Sequence, residues 1–185
     1  ASTGARRHEV CSVLRGSLNF ETPVSNLCVS ADHSGWCDLP RVKYDKKGWH
    51  GGRPVAFCSQ SGLFLKIWLR ASSGNDGDNL FLLGKSGLTA LVERVRSAAH
   101  NDEFTLHSLR RAFGDNFEDE RGPELEEILK RQLGHRPSYN VTRSRYMAKS
   151  KRRLIEQLRK YHCSPLDHIE IDWLQYPVHI DLQSN

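Results

Sequence analysis

The chain has 185 residues, 38% of them hydrophobic and 26% charged, with 27 Lys and Arg against 22 Asp and Glu. That length suits one compact domain with room for a tail, and the apolar fraction can build a core, which argues against wholesale disorder. No stretch approaches the roughly 18–20 apolar residues that cross a bilayer, so neither a transmembrane helix nor a membrane partner is expected.

The first seven residues have no apolar centre and do not read as a signal peptide. The formal net charge of +5 permits a polyanionic partner. Its distribution says more: Val141–Lys160 holds eight basic residues and one acid, whereas Asp115–Glu127 holds seven acids and one base. Cys11, Cys28, Cys37, Cys58 and Cys163 are an odd, scattered set with no Cys-x-x-Cys pair. Free thiols in a reducing compartment are therefore expected and a zinc ribbon is not. Cys28 and Cys37 could face each other across a hairpin, but nothing in the sequence demands a disulfide.

In chain order, residues 5–16 read as a short helix, with Val10, Val13 and Leu14 on one face and Gly16 as its stop. Three short strands follow, at Asn26–Ser30, Leu39–Tyr44 and Arg53–Cys58, the last two joined by a Gly-rich turn over 45–52. Gly62–Ala71 carries Leu63, Phe64, Ile67 and Trp68 at helical spacing. Residues 72–78 are a loop and Leu80–Leu83 a short apolar run. Helices are expected over Ser86–Ala99 (Leu88, Leu91, Val92 and Val95 inward), Thr105–Asn116 (Leu106, Leu109, Phe113) and Pro123–Leu133 (Leu125, Ile128, Leu129, Leu133). Tyr139–Tyr161 reads as a basic helix, and His168–Leu182 alternates like a strand. The fold class is α+β, mainly helical with a small antiparallel β-sheet.

Four places carry residues suited to chemistry on a phosphate. Thr3-Gly4-Ala5-Arg6 with Glu9 puts an Arg at a helix start, where a planar fork and free N–H groups suit an anion. His107 and Arg110 stand three apart on one helix face. Gly134 caps a helix and leaves His135 in the turn after it. Tyr146 lies inside the basic run Arg143–Lys149, where cations could lower a phenol that ordinarily ionises near pH 10. Each alone has a plainer reading: an N-terminal turn, a surface helix, a solvated His, a packed Tyr.

Together, in this order and spacing, they resemble the catalytic domain of the tyrosine recombinases, the phage-integrase family. Thr3-Gly4-Ala5-Arg6-x-x-Glu9 is similar to the family's first box, His107-x-x-Arg110 to its second, and Leu133-Gly134-His135 followed by Tyr146 to its end. The family's lysine lies in a β-hairpin between the boxes, where Lys43 stands, with Lys46 and Lys47 in the same segment. Tyr146 follows His135 by eleven residues, somewhat more than is usual, and Tyr139 is its rival. The resemblance spans about Thr3 to Tyr146, and the separate N-terminal domain that clamps DNA in this family is not matched.

The resemblance implies a tyrosine-recombinase catalytic-domain fold over residues 1–161 and a tail, 162–185, for docking on a neighbouring subunit. It implies a site-specific DNA recombinase or integrase of a mobile genetic element, cleaving and rejoining strands through a 3′-phosphotyrosine intermediate. Arg6, Lys43, His107, Arg110, His135 and Tyr146 would be catalytic. Arg111, Arg143, Arg145, Lys149, Lys151, Arg152 and Arg153 would bind the DNA backbone. No metal or other cofactor is expected. The partner would be double-stranded DNA, with a homo-tetramer on it and a monomer or dimer without it, in the cytoplasm at the nucleoid. The alternatives are a type IB topoisomerase-like relaxing enzyme or a non-catalytic DNA-binding relic. Without the clamp, weak or no cleavage by this piece alone is expected.

Overall fold

A computed structural model of the chain describes residues 3–28, 30–39, 53–122, 125–135 and 151–161. Lys43, Arg143, Arg145, Tyr146, Lys149, the rival Tyr139 and the segment 162–185 lie outside the described residues, and only the backbone is described for Lys151 and Arg153. The elements are α1 (Arg7–Val10), a 3₁₀ turn (Arg15–Ser17), β1 (Leu18–Phe20), β2 (Gly35–Leu39), β3 (Arg53–Phe57), α2 (Ser59–Ala71), α3 (Lys85–Ala98), α4 (Leu106–Arg121), α5 (Glu126–Leu133) and α6 (Lys151–Arg159). The class is mixed α+β, with a three-stranded antiparallel sheet in the order β1-β2-β3.

Strand alternation divides the core in two. Cys37 and Leu39 of β2 and Val55 of β3 join Val13 and Leu80 in one cluster, against which Leu65 and Leu69 of α2 pack. Ala56, the next residue along β3, belongs to the other cluster, with Phe113 and Phe117 of α4, Ile128, Leu129 and Leu133 of α5, and Leu158 and Tyr161 at the end of α6. Tyr161 meets Phe113 edge-on at 5.5 Å between ring centroids. The sheet is thus the partition between an N-terminal layer with α2 and a C-terminal layer of α4, α5 and α6.

Three expectations need correction. Residues 5–16 are not one helix: it ends at Val10, and the chain then pairs with a distant segment, Leu80 N–H donating to Val13 O at 2.6 Å and Arg15 N–H to Asp78 O at 2.9 Å. Those long-range bonds outweigh local helix preference. The described residues of Asn26–Ser30 are not strand; the Cys28 N–H closes an Asx turn on Asn26 Oδ1 at 3.0 Å. The strands described before β3 are Leu18–Phe20 and Gly35–Leu39, whose Gly and Asp hide the usual β signal; of the expected strand Leu39–Tyr44, all but Leu39 lies outside the described residues. Gly35 is there because a Cβ would collide with the Asn19 carbonyl of β1.

The helix expected over Gly62–Ala71 is α2, and its inward face is partly polar. It holds Ser61, Gly62 and Lys66 with Leu65 and Leu69, while Trp68 is 40% exposed. Gly62 sets this rotation, because its Cα lies against the His33 backbone carbonyl, where no side chain fits. Lys66 then finds its bonds inside, donating to Thr22 Oγ1 at 2.7 Å and sharing a 3.1 Å bond with His33 Nδ1. Burial lowers its pKa, opposed by the charge of Asp32. The third correction is on α3, where Leu88 and Val92 face inward but Leu91 and Val95, expected inward, are exposed.

Candidate active site

Each candidate side chain is presented by a helix terminus whose local chemistry is explicit. At the start of α1, Glu9 turns back so that its Oε2 accepts the Arg6 backbone N–H at 2.6 Å, satisfying an orphan donor of the first turn. Its Oε1 stands 3.6 Å from Arg6 Nη1. At the start of α4, Thr105 Oγ1 accepts the Ser108 N–H at 2.9 Å and Ser108 Oγ accepts the Thr105 N–H at 2.8 Å. That reciprocal cap fixes the first turn, which carries His107, and sets the direction of Arg110 one turn on. At the end of α5, Gly134 adopts φ +66°. Its N–H bonds Arg131 O at 3.0 Å and the His135 N–H bonds Lys130 O at 2.8 Å. This is a Schellman termination, and it aims the His135 turn back across the helix end.

The three termini meet at one cavity of about 480 Å³, whose lining includes Arg6, His107, Arg110 and His135. Residues up to 129 positions apart in sequence, from Arg6 to His135, thus surround a single space. Arg7, Thr105 and, from α3, Thr89, Val92, Glu93 and Arg96 complete much of the wall. Arg96 is held by Glu93 at 2.9 Å and by the Phe104 carbonyl at 3.1 Å, so its charge is locally compensated. Arg7 Nη1 donates to Thr89 Oγ1 at 3.3 Å.

Arg110 is the joint of the site. It is buried, and Nη1 donates to the Gly4 carbonyl while Nη2 donates to the Leu133 carbonyl. One guanidinium therefore ties the Arg6 segment and the end of α5 to α4. Gly4 makes this approach feasible: at φ +59° a Cβ would sit 2.5 Å from Leu133 Cδ2 and 2.9 Å from Phe113 Cδ1. Burial, then the positive charges of Arg6 and Arg53, lower the Arg110 pKa to about 10, so it remains a cation at neutral pH. A guanidinium has five N–H donors, and the two spent on carbonyls leave others for a ligand.

His135 is pushed the other way from a usual histidine in an acidic site. Burial first, then the charges of Arg110, Arg6, Arg53 and Lys130, lower its pKa below the ordinary value of 6.5. It is a neutral imidazole at pH 7. The cavity is accordingly cationic on its guanidinium side and carries neutral hydrogen-bonding capacity at His135, an arrangement fitted to an anion that must be gripped and relieved of or given a proton. Among the described residues no group of three or more His, Cys, Asp or Glu is placed to hold a metal ion.

Of the other sequence candidates, Arg111 is exposed on α4 and Arg152 is exposed on α6, paired with Glu156 at 2.9 Å. The structure also adds residues that the sequence reading missed. Arg53, the first residue of β3, is buried and bonds Glu9 with both Nε (3.0 Å) and Nη2 (2.7 Å). Gln132 is wholly buried; its side chain bonds both backbone groups of Ala56 and the Thr3 carbonyl. An Arg before a Pro in a short strand, and a Gln in a helix, give no sequence signal of burial. Glu9 was visible through its spacing from Arg6, although its tie to Arg53 was not.

Comparison with protein-family models, with curated proteins and with solved structures finds no match to this chain.

Proposed function

We propose that the chain is the catalytic domain of a tyrosine-type site-specific recombinase acting on double-stranded DNA. The observation that supports this reading most is the convergence of Arg6, His107, Arg110 and His135 on one cavity, because the chemistry needs two guanidiniums and two imidazoles around a single phosphate.

The reaction is a transesterification. The Tyr146 hydroxyl attacks phosphorus, a P–O bond to tyrosine forms, and the P–O5′ bond breaks to leave a 3′-phosphotyrosyl ester. The departing 5′ oxygen takes a proton from Lys43, the general acid. The phenol proton passes to His107. A second 5′ hydroxyl then reverses these steps on another strand, so the bond energy is conserved in the ester. Negative charge grows on the non-bridging oxygens in the transition state, and Arg6 and Arg110 meet it with preorganised N–H donors. His135, neutral beforehand, donates a hydrogen bond to the same phosphate. The exposed bases Arg111 and Arg152, with Arg143, Arg145, Lys149, Lys151 and Arg153, hold the DNA backbone, which positions the duplex without reading its sequence. Assembly on DNA is a homo-tetramer through the 162–185 tail, in the cytoplasm at the nucleoid.

The test is covalent trapping. A library of nicked duplexes of random sequence, which lose the leaving strand after cleavage, is incubated at high protein concentration. The expected result is a slowly accumulating protein–DNA adduct that is absent in Tyr146→Phe and retained in Tyr139→Phe. Persistence in Tyr146→Phe with loss in Tyr139→Phe moves the nucleophile. Duplex bound to saturation that still yields no adduct contradicts the enzyme reading and leaves the DNA-binding relic; weak cleavage that follows weak binding does not. Relaxation of supercoiled plasmid without joined products assigns the topoisomerase alternative.

A further inference from the structure

The Arg53 side chain lies outside the residues given a role above, yet it touches both the Arg6–Glu9 turn and the end of α5. It enters from the sheet. Among the described residues, Leu39 and Arg53 form the pair at one end of the β2–β3 ladder. From there the guanidinium spans two other segments. Its fork takes both oxygens of Glu9, at 3.0 and 2.7 Å, and Nη1 donates to the Gln132 carbonyl. Its plane also lies against Gly134: a Cβ there would be 2.7 Å from Arg53 Nε. All three partners are themselves fixed. Glu9 Oε2 holds the Arg6 N–H, the Gln132 side chain is bonded to both backbone groups of Ala56, and Gly134 is the left-handed residue that sets the His135 turn.

A buried ion pair of this kind is weak as an argument for stability, since desolvation opposes the attraction. Its geometry is another matter. A bidentate fork allows one distance and one plane between its partners, and here the partners are the residue three after Arg6 and the carbonyl three before His135. We propose that Arg53 is a positioning residue of the site: by gripping Glu9 and the Gln132 carbonyl together it sets the spacing between Arg6 and the His135 turn. It does not face the cavity and touches no substrate. The inference deepens the recombinase reading and rests on it for the identity of the anion, while the lock itself is independent of what binds.

Hydrogen–deuterium exchange of the full chain reads the lock directly. Arg53→Lys keeps the positive charge but cannot form the fork, and Glu9→Gln keeps the shape but removes the ionic partner. In both, exchange over residues 3–12 and 126–135 should rise about tenfold or more, with α2 and α3 unchanged. Unchanged exchange over those two segments overturns the proposal, and so does an even rise across the whole chain, which would make Arg53 a plain stability residue. The trapping assay supplies the second arm: in Arg53→Lys the rate of adduct formation should fall about tenfold or more, with duplex affinity within about twofold of the unaltered chain. An equal loss of affinity and rate argues against positioning. If duplex bound to saturation by the unaltered chain yields no adduct, the recombinase reading fails while the exchange result still decides the lock.

Discussion

Arg6 and Arg110 face one cavity yet are built into the molecule differently. Arg6 is partly exposed and held mainly through its backbone and Glu9, whereas Arg110 is buried and spends two donors on the carbonyls of Gly4 and Leu133. Arg6→Ala should therefore lower the cleavage rate by on the order of 10²–10³, roughly 3–4 kcal/mol, with little change in melting temperature. Arg110→Ala should lose as much rate and also lose stability, by about 1–3 kcal/mol, because two buried carbonyls are left unpaired. Single-turnover trapping beside thermal denaturation separates the two cases; equal stability loss in both would refute the distinction. His135 yields a pH prediction. Its folded pKa lies below that of the unfolded chain, so the unfolded chain binds the proton first as pH falls. The contribution is present above the unfolded value of about 6.5 and is lost as pH falls through it towards the folded one. A phosphate in the cavity offsets part of this positive field, so the His135 titration should move up when the anion binds.

At the scale of elements, the site is three helix termini brought together, and its weakest points are the caps. Gly134 is left-handed and also packs on Arg53. Gly134→Ala should cost about 1–2 kcal/mol from backbone conformation alone, with further loss from the displaced guanidinium, and it should slow cleavage as well. Thr105→Ala should cost about 0.5–2 kcal/mol in melting experiments and loosen the turn carrying His107. These elements were also where sequence reading did best. The apolar stripe Leu125, Ile128, Leu129 and Leu133 is buried as its spacing predicted, and β3 stands within the expected strand Arg53–Cys58. Two of the failures share one cause. Residues 11–16 and the strands before position 40 are decided by partners far away in sequence: Val13 with Leu80 and Gly35 with Asn19. Periodicity reports a residue's neighbours on its own element and carries no word of such contacts.

The cationic cavity lies among α1, α4 and the end of α5, while α6 buries Leu158 and leaves Arg152 and Lys160 exposed. Duplex binding should weaken linearly in log–log salt plots, and Arg111→Ala should reduce that slope by about 1 without altering the trapped-adduct rate at saturation. A slope unchanged by the substitution would remove Arg111 from the DNA face. The candidate site was legible to the extent that four polar residues in a spaced order could be seen, the buried Arg110 among them. Arg53 and Gln132 were not, because a buried polar residue differs from a surface one only through the partners that satisfy it. The central claim is that Arg6, His107, Arg110 and His135 hold one DNA phosphate. Imidazole NMR signals of His107 and His135, followed while a short duplex is titrated in, test it most directly. Both should shift along one saturation curve, and Arg6→Ala should weaken both together; shifts that follow different curves, or that survive that substitution unaltered, would contradict a common site.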